Sequence, residues 1–421
     1  MTRRVALVTG ATGFLGAGVA RALLAQGFHV LVLIRPKSNV RGGPERSAEA
    51  RGRRLAEAWG LPSDAPLHTL SGDITRLDPS SLVAEVRSHL KALSTSRLQA
   101  FVHCAARLTM DHPGQDEATR ARIAERNREV NVGGLQRLLE AAQQIWSPAS
   151  SPRVRILRPS IIAGPGSKDA YMAFLDYLEG RVLGLPLMSV VRFAVNALPP
   201  GAVIPIPGNP DGALDIIHQD EVVETMVTLL EEDLRAAEAS GAGVFHHVST
   251  AFVHGRSEGL LAEDPLPEPA DLRPRNSYEA TKGEAERILH AWSARPGRGA
   301  EPRICQISHS RPPTLAEVVS STLEAFGWTD AQIERVRCVP PGPAFEAEMA
   351  RLRSASPLAH RVAAGLWARV PMLQAYLDRP TGTSFSIAHT QEDLRRASVS
   401  YAPASFDADM VRALLRSAPL A

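Results

Sequence analysis

The chain of 421 residues is poor in cysteine, in lysine, in long apolar runs and in net charge. Its three cysteines, Cys104, Cys305 and Cys338, have no paired spacing, so neither a disulfide framework nor a zinc knuckle is indicated and no metal site is expected. A reducing compartment follows as the expectation. Lysine occurs only at Lys37, Lys91, Lys168 and Lys282 among 47 basic residues, which makes each one worth inspecting. No stretch reaches the ~18 uninterrupted apolar residues of a membrane span, so a soluble, cytoplasmic protein is expected. Basic residues (47) and acidic residues (45) nearly cancel to +2, which removes any bulk electrostatic case for nucleic acid or an anionic membrane. What is present, 44% hydrophobic and 22% charged residues, is the composition of a folded globular chain and excludes a disordered or fibrous one. The length predicts one large domain or two intimate ones.

Residues 4–9 are β-branched and end at Gly10, and helical spacing then runs over 14–26 until Gly27. Further strands are expected at 28–34, 67–70 and 98–103, with helices near 46–59, 79–93 and 129–146 between or after them. Strands alternating with helices of this length imply right-handed βαβ units and an open, doubly wound parallel α/β sheet covered on both faces. Beyond a breaker cluster at 147–152 the spacing predicts a strand over 154–162. A helical, strongly apolar segment over 170–198 reads as a substrate lobe or lid. A helix runs to about 238, then a strand over 244–253, a helix over 278–293, a strand over 303–308 and a helix opened by Thr314. Residues 342–421 read as mostly helical.

Gly10-Ala-Thr12-Gly13-Phe14-Leu15-Gly16 lies between the first strand and the first helix. Glycines there permit a tight turn and close approach of backbone to a pyrophosphate, which the amides of a helix N-terminus can bind. A site for NAD usually ends its second strand on Asp or Glu. Here Ile34 is followed by Arg35, Pro36 and Lys37, and a guanidinium suits a 2′-phosphate, so NADP(H) is favoured over NAD(H). Tyr278-Glu-Ala-Thr-Lys282 places a phenol and an ammonium one helical turn apart on one face. The ammonium should lower the phenol's pKa toward working pH, so that Tyr278 can exchange a proton with a carbonyl or alcohol oxygen.

These segments resemble the extended short-chain dehydrogenase/reductases. Thr-Gly-Ala-Thr-Gly-Phe-Leu-Gly, Ser249-Thr250-Ala-Phe-Val, Asn-Ser-Tyr278-Glu-Ala-Thr-Lys282 and Arg158-Pro159-Ser160-Ile-Ile are most similar to fatty acyl reductases and to the thioester reductase domains of carrier-protein systems. The resemblance implies that Asp73 and Ile74 meet the adenine and that Ala105 and Ala106 lie under the cofactor. It implies further that Asn131 supports the catalytic helix, and that Pro159 and Ser160 belong to the segment touching the nicotinamide. Thr250, with Ser249 beside it, would supply the hydroxyl that meets the substrate oxygen, with Tyr278 as proton donor and Lys282 as ribose ligand. Asp215, His218 and Asp220 fall on the substrate side, where Asp220 reads equally well as a helix cap.

The order of the parts departs from that family. There the Ser-Thr strand and the Tyr-Lys helix precede the Arg-Pro-Ser strand, whereas here residues 154–162 come first and residues 244–293 later. Breaker clusters at 147–153, 239–243 and 294–302 mark the seams. All three affected strands should start at the same edge of a parallel sheet, so exchanging their connections need reverse none of them. Linkers of five to nine residues reach ~17–30 Å, enough for a strand displaced by two places, ~10 Å. The expectation is an NADP-binding domain of residues 1–162 and 244–308, interleaved with a substrate lobe and helical C-terminal region of 163–243 and 309–421. The function expected is NADPH-dependent reduction of an acyl thioester or the derived aldehyde, the acyl group carried on CoA or a carrier protein. The alternatives are a nucleotide-sugar epimerase or dehydratase and a catalytically silent NADP-binding regulator.

Overall fold

The computed structural model describes residues 3–37, 47–95, 97–112, 114–146, 152–167, 170–182, 184–269, 271–295, 301–368, 377 and 380–416. Much of the seams at 147–153 and 294–302 lies outside them. Strands β1 (Val5–Thr9), β2 (His29–Ile34), β3 (Leu67–Ser71), β4 (Ala100–His103) and β5 (Arg153–Pro159) are followed by the short β6 (Ile161–Ala163) and β7 (Ile216–His218), then β8 (Val244–Val248) and β9 (Arg303–Ile307). Seven of them form one sheet in the order β3-β2-β1-β4-β8-β5-β9, every neighbouring pair parallel.

That order shows how the displaced block is accommodated. From β4 the chain skips one place to build β5, returns through the middle segment to insert β8 between them, and crosses β5 again to add β9 at the edge. No strand is reversed. Val244 to Val248 pair with β5 residues Arg153 to Leu157, and Val244 to His247 pair with β4 residues Ala100 to His103. Only the connections differ from sequential winding.

Helices α1 (Phe14–Ala25), α2 (Ala48–Ala58), α3 (Pro79–Ala92), α4 (Glu117–Arg128), α5 (Gly134–Ile145), α6 (Ala170–Leu178), α7 (Leu187–Asn196), α8 (Gln219–Glu238) and α9 (Ser277–Ser293) precede β9. After it come α10 (Leu315–Ala325), α11 (Asp330–Ile333), α12 (Pro343–Ala355), α13 (Pro357–Trp367), α14 (Ala388–Arg396) and α15 (Ala408–Arg416). One face of the sheet is covered by α1 and α8, whose Val19, Leu23, Val222 and Leu229 are fully buried with Val8 and Val32. On the other face α3, α5 and α9 bring Val86, Leu138 and Leu289 onto Leu7 and Phe101. Each such side chain contributes ~1.5–3 kcal/mol by leaving water, and the same two clusters extend onto the rewired strands through Leu157, Val244 and Ile307 on one face and Ile156, Phe245 and Ile304 on the other.

Two buried ion-pair systems fix that half. Arg155 on β5 makes a two-pronged contact with Asp233 on α8, at 2.7 and 2.8 Å, and also reaches Asp393 on α14. His246 on β8 joins Asp233 at 2.8 Å. Arg158, with no exposed surface, pairs with Glu286 on α9 at 2.6 Å. Since a buried guanidinium without its carboxylate is costly, these pairs select the strand order that unites their partners.

Three sequence expectations need correction. The 170–198 segment is two helices separated by a strand pair, Arg181–Val182 against Leu185–Pro186, because Gly180, Gly184 and Pro186 interrupt the helical backbone. The 154–162 strand breaks at Ser160, whose amide bonds Ile307 O while β6 turns away to pair with β7. The 244–253 strand ends at Val248, and residues 251–254 form a 3-10 turn capped by Thr250. Among the described residues no helix is long and apolar enough to cross a membrane.

Candidate active site

The Gly10 loop is shaped by contact with the chain after β4. Gly10 has φ +77°, and a Cβ there would sit 2.7 Å from Ala105 N. Gly16 is similarly pressed on Gly10, so a side chain at either position would break the turn. Gly13 begins α1 with no side-chain cap and no acidic residue in the first turn, which leaves the positive helix end open to an anion. Thr12 and Gly13 are exposed, while Phe14 and Leu15 are half-buried. A pyrophosphate fits this cradle of glycine backbone and uncapped amides.

Arg35 follows β2 with its guanidinium largely exposed and 3.6 Å from Asp73; Lys37 is exposed beyond it. Asp73 accepts from the Thr75 amide and hydroxyl, and Ile74 packs against Gly134. The carboxylate expected at the adenine is thus already engaged by its own turn, although Arg35 and Asp73 stand together at the edge where β2 and β3 end.

Tyr278 and Lys282 both point into the interior from α9, 6% and 3% exposed. Asn276 caps the helix by accepting from Glu279 N at 3.0 Å, and Asp111 accepts from Ser277 N at 2.7 Å, so the first turn is held from two sides. Thr250 lies near enough to the Tyr278 phenol to act on its proton affinity, which brings the end of β8 to the helix. Beside it, Ser249 Oγ is buried with no partner among the protein's own groups. Lys282 Nζ donates to Val248 O at 2.7 Å.

Asn131 lies in a π-helical turn, residues 129–133, that joins α4 to α5. Its amide accepts from Arg107 N at 2.8 Å, donates to Arg107 O at 3.2 Å and donates to Thr281 Oγ1 at 3.1 Å. It therefore clamps the loop after β4 to the turn carrying Lys282. π-Helical turns of this kind concentrate at functional sites, and sequence spacing did not disclose this one.

The electrostatics correct one expectation. Burial pushes the Tyr278 phenol above its ordinary value, with Thr250 opposing and Glu279 adding to the rise. The expected lowering by Lys282 is not among the influences on the phenol, and withdrawal from water sets the direction. Burial moves Lys282 the other way, down from 10.5 to about 8, opposed by Cys104 and Glu286. A tyrosine kept protonated is suited to giving a proton, the direction that reduction requires.

On the substrate side, His218 rather than Asp220 caps α8: its ring accepts from Asp220 N, and Glu221 returns the bond to His218 N. Asp215 is fully buried and accepts from His309 N. The Ser160 hydroxyl donates to Asp215 O. Pro159 closes β5 beside it. Ser160 is thus committed to the protein's own backbone. Among the described residues no group of three or more His, Cys, Asp or Glu is arranged to hold a metal ion.

Two sequence families match parts of the chain. The male sterility protein family matches residues 8–150, stopping at the first seam, and the NAD dependent epimerase/dehydratase family matches residues 187–308. Each model matches less than half of the chain, and the two together take in the Gly10 loop and the Tyr278–Lys282 helix. The chain is accordingly an NAD(P)-dependent enzyme. No curated protein matches it. Among solved structures it is similar to the terminal R domain of the myxalamid PKS-NRPS biosynthetic pathway, at 16% identity over 100% of this chain and 93% of that one, TM-score 0.50. A putative epimerase from Burkholderia cenocepacia J2315 is 15% identical over 99% and 98% of the two chains, TM-score 0.43. The UDP-Glc/GlcNAc 4-epimerase of Campylobacter jejuni is 12% identical over 98% and 97%, TM-score 0.44. At these identities the likeness concerns the fold.

Proposed function

We propose that this enzyme uses NADPH to reduce an acyl thioester, or the aldehyde derived from one, and that the acyl tail lies in the helical lobe. The observation that carries the reading is an apolar cavity of about 80 Å³ between α6, α7, α10 and α13, lined by residues including Phe174, Met188, Val191, Val318, Leu323 and Leu366. Its few polar side chains are turned to other duties. Tyr171 OH and Thr322 Oγ1 bond each other at 3.0 Å, Thr322 also donates to Val318 O, and Trp367 Nε1 donates to Pro205 O at 3.1 Å. Such a lining favours a hydrocarbon chain and offers a sugar hydroxyl nothing. Some of its lining residues, Ile206 and Val318 among them, belong to the packed cluster that also holds Ala251 and Phe252, which follow Thr250 directly.

When bound, the cofactor supplies hydride to the carbonyl carbon. The Gly10 loop and the start of α1 would hold its pyrophosphate, and Arg35 a 2′-phosphate. The developing oxyanion is met by the hydroxyls of Thr250 and Tyr278, and Tyr278 gives the proton that makes the alcohol oxygen. Lys282, charged below about pH 8, stabilises the phenolate left behind. With a thioester, the resulting hemithioacetal releases aldehyde and thiol, whether that thiol belongs to CoA or to a carrier protein. The test is NADPH oxidation against acyl-CoA thioesters, aldehydes and UDP-sugars. Consumption with the acyl substrates is expected, and turnover of a UDP-sugar with none of an acyl substrate would overturn the reading.

A further inference from the structure

β4 and β8 set His103 opposite His247, and the two rings lie 5.3 Å apart between centroids. They are 1% and 0% exposed. His103 Nδ1 is 2.7 Å from Thr9 Oγ1. That oxygen also accepts from Ala105 N at 3.4 Å; with its hydroxyl donating to Nδ1, His103 is the tautomer that carries its own proton on Nε2. His103 Nε2 and both ring nitrogens of His247 have no partner among the protein's own groups. Buried polar atoms of this kind are satisfied by ordered water when enough of them converge.

Lys282 is the third member of the cluster. Its charge acts on both rings, and one of its protons goes to Val248 O, the carbonyl next after His247. We propose that His103 and His247 are positioning residues for Lys282: a buried water accepts from the ammonium and from His103 Nε2–H and donates to His247, fixing the ammonium one helical turn from Tyr278. The directions are mutually consistent, because water then accepts twice and donates to a ring nitrogen that must be unprotonated. Both rings are kept neutral, first by burial and then by the Lys282 charge, with His103 down to about 3 and His247 well below its ordinary value. The other groups facing the ammonium do not compete. Burial holds Cys104 as a thiol, up at about 12. Glu286 is engaged by Arg158, and Tyr278 is held protonated.

The assignment rests on Lys282 serving the reduction proposed above. His247→Phe keeps a ring of similar shape and removes both nitrogens, and His247→Gln restores an acceptor. The pH profile of kcat for acyl reduction should show the Phe variant slowed roughly 10- to 100-fold, with its alkaline limb lower by about one pH unit. The Gln variant should recover to within about fivefold. A Phe variant with the parent rate and alkaline limb would overturn the proposal. A second measurement needs neither catalysis nor a histidine variant: 15N-histidine NMR of the full chain beside Lys282→Met. The ring-nitrogen resonances of His103 and His247 should both move. Unmoved resonances overturn the proposal whatever the enzyme reduces, whereas moved resonances without acyl reduction support the network and overturn the reductase reading alone.

Discussion

Lys282→Met tests whether the site is built at the expense of stability. In the unfolded chain this lysine titrates near 10.5, and in the folded protein burial brings it to about 8. That displacement corresponds to ~3 kcal/mol of destabilisation from a buried ammonium. Below pH 8 the group is protonated in both states and the cost is fully present. Between pH 8 and 10.5 the unfolded chain holds the extra proton, so stability rises with pH, and above 10.5 the cost is gone. Methionine fills a similar volume without charge but leaves Val248 O without its donor, a loss of ~1 kcal/mol. The variant should therefore be more stable than the parent by ~2 kcal/mol at pH 7, and the advantage should shrink by ~1.4 kcal/mol per pH unit above pH 8. Urea unfolding of the cofactor-free chain, followed by tryptophan fluorescence at pH 7, 8.5 and 10, reads this directly. A variant less stable than the parent by the same amount at every pH would refute the reasoning, since the ammonium would then be a net stabilising group.

Tyr278→Phe should lower acyl reduction at least ~100-fold while thermal unfolding stays close to the parent's, and an unchanged rate would remove Tyr278 as the proton donor. Asp233→Ala leaves Arg155 and His246 without their shared acceptor and should cost ~3–5 kcal/mol in urea unfolding; a loss below ~1 kcal/mol would show that the network does not fix the rewired strands. Arg35→Ala should raise KM for NADPH ~10-fold or more with little change for NADH, and equal effects on both would remove the 2′-phosphate assignment. Val318→Trp fills the lobe cavity and should raise KM for long-chain thioesters ~10-fold while sparing short ones.

The segments proposed to carry chemistry are legible because their residue types are dictated by backbone and charge. Gly10 and Gly16 announce a turn that admits no side chain, and Tyr278 with Lys282 announces a helix face. The sheet was legible through the apolar strands, and the transposed order through breaker clusters, since parallel strands can be rewired without changing their faces. What escaped depends on distant partners. His103 and His247 stand inside otherwise apolar strands, a visible signal of a buried polar contact, but their register opposite one another exists only once β8 has inserted beside β4. Asn131 was readable as a family position, whereas its clamp on Arg107 and Thr281 follows from the π-helical turn. The sign of the Tyr278 displacement could not be read from spacing, because burial rather than the neighbouring ammonium decides it. Likewise Ser160 stands at a family position but spends its hydroxyl on Asp215 O.

The central claim is carbonyl reduction at Thr250, Tyr278 and Lys282, and deuterium transfer tests it most directly. The wild-type chain is incubated with [4-2H]NADPH and an acyl thioester, and the aldehyde or alcohol is analysed by mass spectrometry. The account predicts one deuterium on the former carbonyl carbon for each hydride delivered, and none with Tyr278→Phe. Undeuterated acyl substrate recovered intact, while a UDP-sugar is converted by the same preparation, would contradict it.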